Sequence, residues 1–489
     1  MSTPATTANP PAKLSRENTV VIGLLLVSAF VVILNETIMS VALPRLMTDL
    51  SITASTAQWL TSGFLLTMAV VIPATGLLLQ RFTLRAVFIA AMSLFSGGTL
   101  LAATAPGFEM LLVGRIVQAG GTAVMIPLLM TTVLSVVPAE GRGRMMGRIS
   151  IIIAVAPAIG PTVSGLILQV FSWRAMFWIV LPIALFSLAL GAAKITNVTQ
   201  TRKVGVDVAS IVLSAFAFGG LIYGLSSIGE AAAGEVAVPV WVPLTVGVLS
   251  LVLFVWRQLS LQRRDAALLD LRTFASPAFR TAAVLMSVTM LALFGSLVLL
   301  PIYLQDVLGL STLTTGLMLL PGGLVMGLLA PLVGRTFDRV GPRPLVIPGA
   351  VLLSAALWLM TTLDAGTVVV TVIGIHVLLS IGIAMMLTPL LTSALGSLPQ
   401  TLYSHGSAVV GTVQQLAGAT GTALFVTVMT TRAASQAEGG ASAVAATASG
   451  VQTAFLCGAV VSLLAIALSF LVRRTAAASA EAEQQPVHA

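Results

Sequence analysis

Very few residues in this chain can do chemistry, and their types narrow what that chemistry is. Its 489 residues include 16 Asp and Glu, 24 Lys and Arg, 3 His and 1 Cys. Lysine occurs only at 13, 194 and 203, and none follows the glycine spacing of a phosphate-cradling loop, so no nucleotide site is expected. Cys457 stands inside an apolar run, which leaves no disulfide framework and no thiolate metal site. No group of His, Cys and acids has the ligand spacing of a metal centre, and no cofactor fingerprint is present. The expectation is a chain without cofactor or metal that is not an enzyme. An ion gradient is the energy source left, and using one requires a titratable group at membrane depth.

The acids make that choice short. Glu17, Asp49, Glu140, Glu230, Glu235, Asp265, Asp270, Asp338, Asp364, Glu438, Glu481 and Glu483 fall in polar breaks or tails, and Glu109, Asp207 and Asp306 at the edges of apolar blocks. Glu36 stands well inside a block. An ionised carboxylate there costs several kcal/mol unless paired or protonated, so it either exchanges a proton during turnover or stays protonated and bridges neighbouring helices. Arg115 also lies at depth and cannot shed its charge, so it needs a carboxylate, a carbonyl or water. It either tunes a nearby acid or locks two helices together. His376 can titrate near physiological pH or serve as a hydrogen-bonded packing residue. Asn35, Gln118, Gln305, Gln414 and Gln415 are polar groups able to contact a substrate or bridge helices, and the first four, together with His376, are candidates for the lining of a substrate cavity.

The elements that position these residues follow from hydropathy. The chain is 57% hydrophobic and 8% charged, with a mean hydropathy of +1.05; a soluble protein cannot hide that much apolar surface. Apolar blocks fall at 19–43, 58–79, 86–105, 109–137, 149–170, 175–193, 207–227, 239–258, 281–304, 314–334, 344–362, 367–391, 406–430 and 451–472. Each is near the length that crosses a hydrocarbon core of roughly 30 Å, and a spanning segment must be helical because lipid satisfies no backbone polar group. The first block is too long for a signal-peptide core and is expected to stay as an uncleaved span.

Lys and Arg set the expected orientation. With the N-terminus inside, Lys13, Arg16, Arg81, Arg85, Arg142, Arg144, Arg148, Lys194, Arg202, Lys203, Arg257, Arg263, Arg264, Arg272, Arg280, Arg335, Arg339, Arg343, Arg473 and Arg474 all face the cytoplasm, against Arg45, Arg174 and Arg432 outside. The net charge of +8 is thus an excess of cytoplasmic anchors and implies no nucleic-acid partner. Both termini are expected in the cytoplasm, in a multi-pass inner-membrane protein.

GLLLQRFTLR (76–85) and GRTFDRVGPR (334–343) share one frame, G-x-x-x-x-R-[FV]-x-x-R, and each joins two spans on the cytoplasmic side. They are eight spans apart, which two six-helix halves with an inserted pair explain. The expected division is an N-terminal tail 1–18, a bundle 19–193, a linker 194–279 holding the extra spans 207–227 and 239–258, a second bundle 280–472, and a tail 473–489. Paired repeats around a central site are how many secondary transporters are built.

These residues resemble the major facilitator superfamily, and its fourteen-span drug:proton antiporter branch in particular. The copy at 334–343 matches the family's cytoplasmic loop with Gly334, Asp338, Arg339, Gly341 and Arg343, while the copy at 76–85 has Gln80 and Thr83 where the acid and the glycine usually stand. LLVGRIVQAGGTA (111–123) looks like the span-4 motif, with Arg115 as its arginine. APAIGPTVSG (156–165) is similar to the span-5 antiporter motif, with Gly160, Pro161 and Gly165. LNETIMSVALP (34–44) resembles the span-1 signature, but Asn35 takes the place of the usual aspartate and the acid follows at Glu36. WRAMFWIVLPI (173–183) and PIYLQDVLG (301–309) resemble the start of span 6 and the end of span 9.

The resemblance implies an all-α polytopic protein with the major-facilitator fold, two six-helix bundles plus two additional central helices. It implies proton-coupled efflux of hydrophobic or cationic small molecules by alternating access, with Glu36 and Arg115 in proton coupling. Span 5, with Gly411, Gly418 and Gly421 in the corresponding span 13, would form the moving contact between halves or a static close packing. Asp338, Arg339 and Arg343 would form an inner-face latch that stabilises the outward-open form, or the arginines would serve only as cytoplasmic topology anchors. The partners expected are a small-molecule substrate, protons and the lipid bilayer, around a monomer. Two other functions fit the same residues: an exporter or flippase of an endogenous lipid or metabolite, and a membrane sensor or scaffold that does not transport.

Overall fold

A computed structural model describes residues 16–136, 156, 159–195, 207–232, 238–264, 267–399 and 402–472. The tails and the basic residues Lys13, Arg142, Arg144, Arg148, Arg202, Lys203, Arg473 and Arg474 lie outside the described residues. The helices are α1 (Arg16–Leu50), the single turn α2 (Ala54–Ala57), α3 (Trp59–Arg81), α4 (Leu84–Ala103) and α5 (Phe108–Val136). α6 (Ile159–Val170) is followed by α7 (Arg174–Lys194), α8 (Val208–Ala232) and α9 (Trp241–Gln262). Then come α10 (Pro277–Ile302), α11 (Thr312–Val340), α12 (Arg343–Met360), α13 (Val369–Gly396), α14 (Tyr403–Glu438) and α15 (Ala443–Ser469). Thirteen of the described helices are long and apolar enough to cross a membrane, and α6 occupies the place of the remaining expected span. Their outward faces carry large apolar side chains such as Trp241, Phe186 and Leu328, which only lipid can cover.

The internal repeat is a packing repeat. α4 packs on α5 and α7, α3 on α5, and α1 on α5 and α7; in the second bundle α12 packs on α13 and α15, α11 on α13, and α10 on α13 and α15. Pro73 and Gly76 in α3 stand at the same spacing as Pro331 and Gly334 in α11, so the corresponding helices lose a backbone hydrogen bond at the corresponding depth. In the second loop copy, Gly341 caps α11 with φ 83° and its N–H donates to Phe337 O at 2.8 Å. A side chain would strain that backbone, which explains the glycine of the motif.

α1 and α14 outrun their apolar blocks by the most residues. α1 passes through Pro44 to Leu50, for 35 residues, because proline removes one donor without forcing a stop; Thr48 Oγ1 adds a bond to Pro44 O at 3.1 Å. α14 runs 36 residues, about 50 Å at 1.5 Å per residue, and so projects beyond the hydrocarbon.

The inserted pair α8–α9 does not sit apart from the bundles. α8 lies over the line where α3 of the first half meets α14 of the second and touches both. Gln58 Nε2 donates to Ser226 Oγ at 2.8 Å, Thr427 Oγ1 to Leu225 O at 3.3 Å, and the Trp59 and Tyr223 rings stack at 5.8 Å. α9 is braced against α8 by the Arg257–Asp207 pair at 2.7 Å, and Gln258 donates to Ser210 Oγ at 2.6 Å.

α4 and α5 approach so closely that their backbones touch. A Cβ at Gly98 would stand 2.5 Å from Gly114 O and 2.8 Å from Gln118 Cα, whereas one at Gly97 would meet nothing within 4 Å. Gly98→Leu is therefore expected to force the helices apart and destabilise the protein by about 3 kcal/mol or more, while Gly97→Leu stays near neutral. Thermal unfolding of the two purified variants checks this; equal midpoints would contradict the close crossing.

Candidate functional site

Arg115 sits on α5 one and a half to two turns in from the end that carries Phe108, and it is fully buried, with 0% of its surface exposed. The α4–α5 crossing places it facing α1 and α3. Its Nη1 donates to Asn35 Oδ1 at 2.9 Å, to Asn35 O at 3.3 Å and to Gln118 Oε1 at 2.8 Å. Nε donates to Leu60 O at 3.4 Å, and the guanidinium lies 4.1 Å over the Phe64 ring. Gln118 in turn donates to Thr99 Oγ1 at 2.8 Å, which anchors the network to α4. Charge is thus held by neutral oxygens and a π face, an arrangement that arginine's planar fork allows.

Glu36 is the acid beside this network. It is partly accessible rather than sealed, its electrostatic neighbour is Arg115, and the Gln415 side chain of α14 hydrogen-bonds to it. No ion pair within 4 Å joins Glu36 to Arg115 among the described residues. Gln415 also donates to Met68 Sδ on α3 at 3.1 Å. The carboxylate therefore sits on the line between the two halves: α1 carries it, and α14 of the other half holds it.

The other expected residues are distributed as follows. Asn35 and Gln118, expected along a substrate cavity, are fully buried and are consumed by Arg115. Helical geometry turns residue 35 about 100° from residue 36, so Asn35 meets the guanidinium while Glu36 meets the seam. Gln305 leaves the helical path in the π-helical turn Tyr303–Val307 and donates to Val41 O of α1 at 3.1 Å, tying the halves at the end away from the Arg-rich loops. Gln414 is half-buried and makes no hydrogen bond to protein among the described residues, which leaves it available. His376 donates to Leu319 O of α11 and packs against Gly322, within the second bundle.

Gly160 packs on Thr37 of α1. Gly165 of α6 lies against α11, where a Cβ would be 2.6 Å from Thr312 O, and Thr162 Oγ1 donates to Gly316 O at 3.0 Å. The two α6–α11 contacts join the halves at the end away from the Arg-rich loops, whereas the Gly160–Thr37 contact lies within the first bundle. Near the Arg-rich loops, Cβ atoms at Gly76 and Gly334 would meet nothing within 4 Å. Asp338, Arg339 and Arg343 are exposed there, and no ion pair latches them among the described residues.

Gln415 was not separable from Gln414 by residue type alone. A usable signal existed, because Gly411 and Gly418 bracket Gln415 at helical spacing on one face of α14, and that face meets Ile72 and Leu65 of α3. Phe64 and Thr99 had no such signal.

Comparison with known proteins agrees with this architecture. The sequence profile of the Major Facilitator Superfamily matches residues 25–422. The chain is 40% identical to the lincomycin resistance protein LmrB of Listeria monocytogenes, over 93% of this chain and 96% of that protein. It is 29% identical to a multidrug resistance protein B homolog of Mycobacterium tuberculosis, over 83% and 75%. Among solved structures, a bacterial homolog of the human lysosomal transporter Spinster, in an inward-facing and unoccupied conformation, superposes with a TM-score of 0.67 at 14% identity, covering 98% of this chain and 100% of that one. This chain belongs to the major facilitator superfamily; it is a transporter fold and not an enzyme.

Gln118→Leu would leave the Arg115 guanidinium and the Thr99 hydroxyl each short of a partner, at an expected cost of about 1–3 kcal/mol, whereas Gln414→Leu should change stability by about 0.5 kcal/mol or less. Unfolding midpoints of both variants decide it: comparable losses would mean that the Gln118 bridge does not support Arg115.

Proposed function

We propose that this member of the major facilitator superfamily is a proton-coupled exporter of hydrophobic or cationic small molecules, acting as a monomer in a bacterial cytoplasmic membrane with its Arg-rich loops inside. The observation that carries the reading is Glu36 on the seam, beside a buried guanidinium and bonded to the opposite half. Ionised, Glu36 accepts from Gln415 and feels Arg115; protonated, it gives up most of that attraction. A proton therefore changes how firmly α1 is held to α14, which is what an alternating-access cycle needs from its driving ion. In an inward-open form of the cycle the proton leaves to the cytoplasm and a substrate enters.

Apolar walls with few fixed charges suit substrates that are themselves largely apolar, and Glu36 is placed to attract a cationic one. The names of the lincomycin and multidrug resistance relatives favour export of drugs over an endogenous lipid or metabolite. Half-buried Gln414 is our candidate for direct substrate contact, and the α6–α11 contact through Gly165, with Gly160 and Pro161 before it, is the surface that must part when the far side opens. Asp338, Arg339 and Arg343 would then close the loop side.

Inverted membrane vesicles carrying the protein should accumulate lincomycin when an imposed pH gradient makes the lumen acidic. Glu36→Gln should insert normally and lose that accumulation down to the level of vesicles without the protein. Undiminished pH-driven accumulation by Glu36→Gln would overturn the assignment, and an inert wild type across a panel of apolar cations would favour a protein that does not transport.

A further inference from the structure

The inserted pair α8–α9 is anchored to the two halves in different ways. Toward the second half it is held both along α8 and at the loop end of α9. α8 packs more extensively on α14 than on α3, with Ile222 in one apolar cluster with Ala419 and Ala423. Residues 267–276, which lead into α10, are packed rather than loose. Ala267, Leu268 and Leu269 are buried, and the Leu269 N–H donates to Gln258 Oε1 of α9 at 3.1 Å. Ser276 Oγ donates to Ser397 Oγ, at the end of α13, at 3.0 Å.

Toward the first half, the pair reaches across at the end away from the Arg-rich loops. There Gln58 Nε2 donates to Ser226 Oγ at 2.8 Å, and the Trp59 ring lies 5.8 Å from that of Tyr223. The packing below it, of Leu66 and Ala69 near Phe218 and Gly219, is apolar and can slide. The Gln58–Ser226 bond suits a contact that opens and closes. Both side chains are buried, and Gln58 Oε1 has no hydrogen-bond partner. Closed, the amide nitrogen is bonded and its oxygen is not; once water enters, both are satisfied, which offsets the bond that is lost.

We infer that α8–α9 travels with the second half, and that Gln58–Ser226, with the Trp59–Tyr223 contact beside it, is a clasp. It ties the first half to the second and holds the end away from the Arg-rich loops closed until the halves rock apart. The inference rests on the alternating-access reading of the protein.

The test uses the purified full chain in a Cys457→Ser background, with pairs of spin labels at three exposed positions of that end: Thr104 after α4, Trp241 of α9 and Val444 of α15. Electron–electron distances are compared between wild type and Ser226→Ala. Losing the clasp should lengthen the Thr104–Val444 and Thr104–Trp241 distances together and leave Trp241–Val444 unchanged. Lengthening of Trp241–Val444 with Thr104–Trp241 constant would mean that the first half carries the pair, and would overturn the inference. So would identical distances in wild type and Ser226→Ala. The reading beneath it is checked separately, on wild type with and without lincomycin at acidic and alkaline pH. A Thr104–Val444 distance that never responds there, beside a Ser226→Ala variant that opens as expected, would sink the transport reading and leave the clasp standing.

Discussion

A guanidinium cannot give up its proton, and that constraint organises the middle of this protein. Arg115 must be solvated by protein wherever it goes, and here the solvation comes from three helices at once: Asn35 of α1, the Leu60 carbonyl and Phe64 of α3, and Gln118 of α5 itself, braced by Thr99 of α4. The glycine-lined crossing of α4 on α5 exists at the depth where this network needs it, with Gly98 against Gly114 and Gln118. The first bundle is thereby rigid around a fixed positive charge, and a neighbouring carboxylate on α1 sits in a field that the rest of the molecule cannot screen with water.

That carboxylate is where rigidity ends. Glu36 faces the seam, where the contacts are of another kind: small residues of α14 against Leu65 and Ile72, a thioether accepting from Gln415, and the Ser62–Thr422 hydroxyl pair. Such contacts are individually weak and can be exchanged during a rocking motion, unlike the charged network behind them. α8 lies across this seam and contributes polar ties to both sides, so the inserted pair is part of the interface between halves and not a peripheral addition.

Much of this was legible in the sequence because hydropathy and charge leave little freedom in a membrane. The apolar blocks, the offset repeat of 76–85 and 334–343, and the isolation of Glu36 and Arg115 all followed from where charges can be afforded. The neighbour relations did not follow. Asn35 and Glu36 are adjacent in sequence yet serve different partners, which depends on the rotational setting of α1, and hydropathy does not encode that setting. Gln305 reads as a cavity residue until the π-helical turn re-aims it at the Val41 carbonyl. The position of α8 over α3 and α14 rests on Ser226, Leu225 and Tyr223, residues with no pattern that distinguishes a seam from lipid.

The central claim is that Glu36, poised beside Arg115, is the group whose proton is exchanged for substrate. Proton release from purified protein in weakly buffered detergent solution tests it most directly. On addition of a transported substrate, wild type should release protons and Glu36→Gln none. Release of the same number of protons by both would contradict the account.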